Sequence, residues 1–280
     1  VMESLRHGYV PVEAKADQPS CIIEPNASWK SKWDVLIMFL IMYSCVSVPF
    51  RLCFDAEAQG LVWDFEASLS ILFLSDLFLT FRLAFYRPED GVIERDPGAI
   101  AIKYLSLWFW IDMPSSIPVE LMEILLFDPT DAANDHTASL RALKFLRVFR
   151  LFRLLRLLKL DMYISLAEEQ FEANLKPVKL VFVVIKMMYA GHALGCAWWY
   201  VGVHAAAGGE IPWYECYDEG IGADSNSSRQ YVYALYWALT TLTTVGYGDI
   251  TPCNDTERQF MVVALVTGSL MFAYMLGEIV

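Results

Sequence analysis

The sequence predicts an all-α membrane protein: a four-helix bundle, then two helices flanking a re-entrant segment. Three observations predict it. Hydrophobic residues make up 56% of the 280, and the mean hydropathy is +0.38, well above an ordinary soluble domain. Apolar segments recur, each near the ~20 residues that cross a bilayer. A glycine-bearing stretch, ALTTLTTVGYGDITP from Ala238 to Pro252, interrupts the apolar run before the last of them.

The spans read at about 33–54, 61–86, 100–126, 138–160, 177–204 and 258–280. A shorter amphipathic helix at about 229–242 sits between the last two and does not cross. This divides the chain into a segment 1–32, a four-helix domain 33–160, a connection 161–176 and a two-helix domain 177–280. The boundary falls in DMYISLAEEQFEANLKP, 161–177, which joins a strongly basic helix to an apolar one. The chain begins with Val1 and stops at Val280 inside an apolar run, so a longer parent protein is expected.

The net charge of -12 is unevenly placed. Arg6, Lys15, Lys30 and Lys32 precede the first span, and Arg82, Arg87, Arg95 and Lys103 follow the second. The loop after the first span and the stretch 127–140 carry no Lys or Arg. The positive-inside rule therefore puts the N-terminus in the cytoplasm. No cleavable signal peptide is visible, so the first span directs insertion. The outer loops carry carboxylates, among them Asp55, Glu57, Asp128, Asp131, Asp135, Glu210, Glu215, Asp218, Glu219 and Asp224. They would concentrate cations, or simply keep the loops soluble.

Residues 139–160 read SLRALKFLRVFRLFRLLRLLKL. Arg141, Lys144, Arg147, Arg150, Arg153, Arg156 and Lys159 recur at every third position, with almost only apolar residues between. On an α-helix this makes a slow spiral, and on a 3₁₀ helix a single aligned face. Cations at bilayer depth are costly and usually functional. Each one moved through the field is worth about 2.3 kcal/mol per 100 mV, so a row of them makes a voltage sensor. A basic amphipathic helix on a membrane surface or bound to calmodulin is the ordinary alternative. The strict repeat, the flanking spans and the counter-charges argue against it. Asp76 in FLSDLFLTFR and Asp112 in WFWIDMPSSIP are intramembrane carboxylates that can pair with passing arginines. Phe73, one turn before Asp76, could plug the water path, and Glu66 could serve charges further out; plain packing is the default for both.

Irregular backbone at membrane depth is tolerated only where it lines a water path or is buried in protein. In TTVGYGD, Gly246 and Gly248 permit backbone angles that other residues resist. Carbonyl oxygens of Thr244, Val245, Gly246, Tyr247 and Gly248, with the Thr244 hydroxyl, can then replace the water around an ion. Four such TVGYG loops around an axis form a potassium selectivity filter. One loop per chain predicts a homotetramer in membrane lipid, with K+ as the permeant ion and no cofactor.

The segment 236–252 resembles the filter region of potassium channels, and residues from about 24 to 280 resemble a six-span voltage-gated subunit. WDVLIMFLIMYSCVSVPFRLCF, FLSDLFLTFR, WFWIDMPSSIP, HALGCAWWY and GSLMFAYMLGEI are similar to the corresponding spans of channels that carry a cyclic-nucleotide-binding-type domain after the pore, the ether-à-go-go and plant-type relatives. That resemblance implies a four-helix voltage-sensor domain, then a pore domain with pore helix and selectivity filter. It implies that Tyr236, Trp237 and Asp249 form a bonded cuff around the filter; the family often has Trp where Tyr236 stands. It implies a hinge at Gly268, Phe272 facing the inner cavity, and a charge-transfer centre of Phe73, Asp76 and Asp112. It also implies a cyclic nucleotide or a regulatory protein bound beyond Val280, and a plasma-membrane location.

The alternative function is a weakly selective cation channel of the pacemaker or cyclic-nucleotide-gated type, which can also carry Gly-Tyr-Gly; the full TTVGYGD favours potassium. A voltage-sensing enzyme is disfavoured by the pore loop, and a transporter with four filter repeats by the single repeat. No catalytic set, phosphate loop or nucleic-acid patch is found. His192 and Cys196 are four apart, a metal-capable spacing, but the resembling family keeps them as helix packing, so no metal site is assigned. Cys45, Cys53 and Cys196 lie in spans; Cys216 and Cys253 fall outside and can pair with each other, pair between subunits, or stay free. Asn226 and Asn254 begin outer-side glycosylation sequons, and the one at Asn26 faces the cytoplasm.

Overall fold

The computed structural model describes residues 22–56, 58–87, 91–106, 108–119, 122, 150–159, 175–217, 220–222 and 224–279. Arg141, Lys144 and Arg147, most of the connection 161–176, and Asp128, Asp131, Asp135, Asp218 and Glu219 lie outside them.

Helix α1 is Ser28–Cys53, with Arg51 in its last turn, where a cation suits the negative helix end. Gly60, at φ 57°, makes the turn into α2, Leu61–Thr80. This span ends before the expected residue 86, because the chain turns at Phe81–Arg82 into a hairpin. Strand β1, Phe85–Tyr86, pairs antiparallel with β2, Ile93–Glu94. Arg87 and Glu94 form an ion pair across the hairpin, and the Arg87 guanidinium holds the Glu94 carboxyl below its usual pKa range. The segment before α1 lies against the same ledge: Ile23 bridges Leu83, and Glu24 binds Arg95 at 2.8 Å.

The third expected span, 100–126, is interrupted. Helix α3 is Pro97–Ser106 and α4 is Phe109–Ser115. Ser116 closes α4 by donating to the carbonyls of Asp112 and Met113. Pro118 disfavours helical backbone at the residue before it, which limits α4 at its C-terminal end. A 3₁₀ helix follows at Arg150–Lys159. Then come α5, Leu175–Ala207, α6, Trp213–Tyr217, α7, Ser227–Leu242, and α8, Asp255–Ile279. Asn226 caps α7, its side-chain oxygen accepting from the Ser228 N–H at 2.8 Å.

Among the described residues two helices are both long and apolar enough to cross a bilayer, Ser28–Cys53 and Asp255–Gly277. Helix α2 has 20 residues but carries Asp64, Glu66 and Asp76.

Two cores organise the chain. The first joins α1 to α2 through Ile37, Leu40, Ile41, Cys45, Leu69 and Phe73. The second is aromatic and holds α7. Trp198 of α5 stacks on Trp237 of α7, ring centroids 4.1 Å apart, and Trp199, Trp213, Tyr214 and Phe54 surround them. Close approach of α5 and α7 depends on two glycines four apart. A Cβ on Gly195 would meet the Ala234 carbonyl oxygen at 3.1 Å, and one on Gly191 would meet Leu239 Cδ2 at 2.6 Å. Small residues at this spacing let helix backbones pack closely in membranes.

Candidate voltage-sensing cluster and ion pathway

One face of α2 presents a ladder. Glu66, Ser70, Phe73 and Asp76 follow at steps of three or four and are all buried. The rungs serve different partners. Glu66 pairs with Arg51 of α1 at 3.0 Å. Ser70 accepts a hydrogen bond from Arg153 Nη2 at 2.8 Å. Phe73, 0% exposed, lies under the Arg156 guanidinium, whose carbon is 3.7 Å from the ring centroid. Asp76 accepts from Trp33 Nε1 of α1 at 2.9 Å.

Helix α4 completes the enclosure. Arg156 Nε donates to Ser115 Oγ at 2.8 Å and Nη2 to Ser116 Oγ at 2.6 Å. Both hydroxyls in turn donate to the Asp112 carbonyl. The Asp112 carboxylate accepts from the Tyr104 hydroxyl at 2.7 Å. Arg156 is thus desolvated, 2% exposed, against hydroxyls and an aromatic face. Such cation–π contacts strengthen when water is excluded.

The 3₁₀ winding makes this periodic. At three residues per turn, positions 150, 153, 156 and 159 of the backbone fall on one face, about 6 Å apart along the axis, and Arg153 and Arg156 are buried there. Phe73, Asp76 and Asp112 are brought together around the stripe. Sequence reasoning missed Ser70, Ser115, Ser116, Tyr104 and Trp33. The tandem Ser115-Ser116, three and four residues after Asp112, was the available signal, since short hydroxyls one helical turn from a carboxylate can offer an arginine neutral oxygens.

At the other end of the molecule, α7 leads into the glycine stretch. Thr244, Gly246 and Gly248 have φ of 60°, 54° and 73°. Left-handed backbone at every second residue is the habit that turns successive carbonyls to one side. The amide groups look backward: Val245 and Gly246 N–H both donate to the Thr240 carbonyl, at 3.0 and 3.1 Å, and Thr244 N–H to Thr241. Among the described residues, the carbonyls of Thr244 to Gly248 accept no backbone hydrogen bond, so they are available to an ion. The whole run from Thr244 to Asp249 is exposed in the single chain.

The Tyr236 hydroxyl donates to Asp249 Oδ2 at 2.8 Å, and its ring lies nearly parallel to Tyr247, centroids 6.5 Å apart. Trp237 is directed elsewhere, into the stack on Trp198. Gly268 sits where α8 meets the end of α7: a Cβ there would approach Leu242 Cδ2 at 3.3 Å.

The mouth is fastened by groups the sequence left open or unnoticed. Cys216 and Cys253 form a disulfide within the chain. Glu257, 0% exposed, accepts from the Trp213 and Cys253 N–H groups at 2.8 and 2.9 Å. Asn254 donates to the Ile211 carbonyl and accepts from the Glu257 N–H. Its side chain is spent on both ends and buried, which leaves its sequon no room for a glycan, whereas Asn226 is exposed. His192 Nδ1 lies 2.9 Å from the Tyr231 hydroxyl and its ring 3.7 Å from Cys196 Sγ. Among the described residues no three His, Cys, Asp or Glu side chains gather as a metal set.

The chain belongs to the ion transport protein family, whose model matches residues 30–280. It is 29% identical over 93% of its length to the human voltage-gated delayed rectifier potassium channel KCNH5, 27% of which is covered. It is 30% identical over 90% of its length to the mouse voltage-gated inwardly rectifying potassium channel KCNH7, 22% of which is covered. It is 28% identical over 92% of its length to the rice potassium channel AKT3, again covering 27%. The chain thus spans about a quarter of the length of the curated relatives it matches.

Proposed function

We propose that the chain is the transmembrane part of a voltage-gated, potassium-selective channel subunit, and that four copies surround one pore. The observation that carries the reading is the backbone of 244–248: left-handed φ at alternate residues, amides tied back to Thr240, carbonyls left open. The relatives support it, being named voltage-gated potassium channels.

In this reading the stripe Arg141, Lys144, Arg147, Arg150, Arg153, Arg156 and Lys159 senses the field. A shift of the 3₁₀ helix by one three-residue step would exchange Arg156 for Arg153 or Lys159 over Phe73. Asp76 and Asp112 supply negative potential on the inner side of that ring, and Ser70, Ser115 and Ser116 supply oxygens on the way. Each charge carried through the field gains about 2.3 kcal/mol per 100 mV. Residues 161–176 would transmit the movement to α8. Tyr236 and Asp249 brace the filter, Trp237 anchors its helix in the aromatic stack, and Gly268 seats α8 against that helix.

Bare apolar side chains on α8, among them Val262, Val263, Val266 and Leu270, suit contact with neighbouring subunits and lipid. The Cys216–Cys253 disulfide suits an oxidising outer side, and in this reading of six spans the N-terminus would lie in the cytoplasm of a plasma-membrane protein.

The test is the reversal potential as external potassium replaces sodium. A reversal that follows the potassium equilibrium potential is expected. A value near zero with both ions would overturn potassium selectivity and favour the relaxed cation channel.

A further inference from the structure

We infer that Cys53 and Cys196 are an oxidisable dithiol pair whose disulfide fastens the first helix to the outer pore helix of the same subunit. The end of α1 packs against both α5 and α7. Phe54 stacks on Trp199 at 5.6 Å, and Phe50 meets Tyr231 at 5.3 Å, the residue that holds His192. Cys53 lies between Phe50 and Phe54 on α1; Cys196 lies between His192 and Trp199 on α5. The two thiols therefore stand at one level of one interface. Cys53 packs against the buried cluster that contains Cys196, Trp199 and Phe54.

The pair is asymmetric in access. Cys196 is fully buried, whereas Cys53 is half-buried in the final turn of α1. Asp55 follows at φ 48°, where the chain leaves the helix toward the side that holds the Cys216–Cys253 disulfide. A peroxide reaches Cys53 first. The Cys53 thiolate attacks the O–O bond, becoming a sulfenic acid as hydroxide leaves and takes up the thiol proton as water. The Cys196 thiol then attacks that sulfur, forming the S–S bond and releasing a second water. Two thiols and one hydrogen peroxide give one disulfide and two waters.

The fastening matters because α1 belongs to the sensing bundle and α5 to the pore. Cys45, two turns deeper on α1, belongs to the other core, with Ile41 and Phe73, and takes no part.

The test uses the full chain in its native membrane. Hydrogen peroxide is applied, remaining thiols are alkylated, and the digested protein is examined by mass spectrometry with and without dithiothreitol. A peptide joining Cys53 to Cys196 is expected after peroxide, lost on reduction, absent in Cys53→Ser and retained in Cys45→Ser. Cys53→Ser is the informative variant because it sits at a helix end rather than in the core. Alkylation of both thiols after peroxide would overturn the inference. So would Cys53 ending as a sulfinic acid, or linked to Cys45 or to a second chain. The bond is read chemically, so its absence leaves the channel reading standing, and failure to conduct leaves this test intact.

Discussion

The guanidinium carbon of Arg156 lies 3.7 Å above the ring centroid of Phe73. Two serines of α4 hold it there, Ser115 through Nε and Ser116 through Nη2. Hydrogen bonds to a charged group are worth about 1.5–3 kcal/mol each. The Ser115→Ala, Ser116→Ala double variant is therefore expected to move the midpoint of the conductance–voltage curve while leaving its slope intact, since no charge is removed. Arg156→Gln removes a charge and should flatten the slope as well. Superimposable curves for wild type and the serine variant would remove the docking role.

A methyl group on Gly246 meets nothing within 4 Å, yet φ there is +54°. The cost of Gly246→Ala is thus conformational, about 1–2 kcal/mol for left-handed backbone, and falls on the filter alone. Surface labelling should find the variant assembled at the membrane, and recordings should find potassium-selective current abolished. Sodium-excluding current of normal size would sink the filter assignment.

Tyr236 reaches Asp249 through one hydroxyl. Tyr236→Phe deletes that bond and leaves the ring in place beside Tyr247. A single bond of about 1 kcal/mol corresponds to a roughly fivefold change in an equilibrium. Current during a sustained opening pulse is expected to decline several-fold faster than in wild type. An unchanged time course would show that the bond does not brace the filter.

Glu257 satisfies two backbone donors from separate segments. Glu257→Ala strands both in a buried place, at about 1–3 kcal/mol each. The amount of protein reaching the cell surface should fall steeply, with Glu257→Gln recovering part of it. Wild-type surface levels for Glu257→Ala would mean that the mouth is held by the Cys216–Cys253 disulfide alone.

The two sequons separate by mobility on a gel. Asn226→Gln should remove a glycan shift, because Asn226 is exposed and caps α7 through its oxygen only. Asn254→Gln should leave mobility unchanged. A shift lost in Asn254→Gln would contradict the buried placement of that side chain.

Much of this was legible because periodicity and motif are local. The one-in-three arginine repeat allowed a spiral on an α-helix or an aligned face on a 3₁₀ helix, and Arg150–Lys159 is wound as the second. The short amphipathic helix expected at about 229–242 is found at Ser227–Leu242, since its length and amphipathic period were unambiguous. The break in the third span was not, because no proline or glycine stands between Ser106 and Phe109 and the apolar run reads as continuous across it. Hydroxyl partners escaped for a different reason. Ser70, Ser115 and Ser116 have no charge signature, and their roles exist only once the 3₁₀ helix brings Arg153 and Arg156 to them. Gly191 and Gly195 were invisible as a packing seat because nothing local says which helix will lie across them.

Helix α8 turns Val262, Val263, Leu265, Val266 and Leu270 outward, each largely exposed among the described residues. A helix so dressed has its hydrocarbon matched either by lipid or by a sister helix, and lipid tails are as apolar as leucine. What tips the balance is packing against a neighbour, and that depends on how many neighbours are within reach. Stability then becomes a collective property, rising with the density of subunits in the bilayer. A variant that only slows synthesis could on that account resemble one that misfolds, and raising expression would rescue the first kind and not the second.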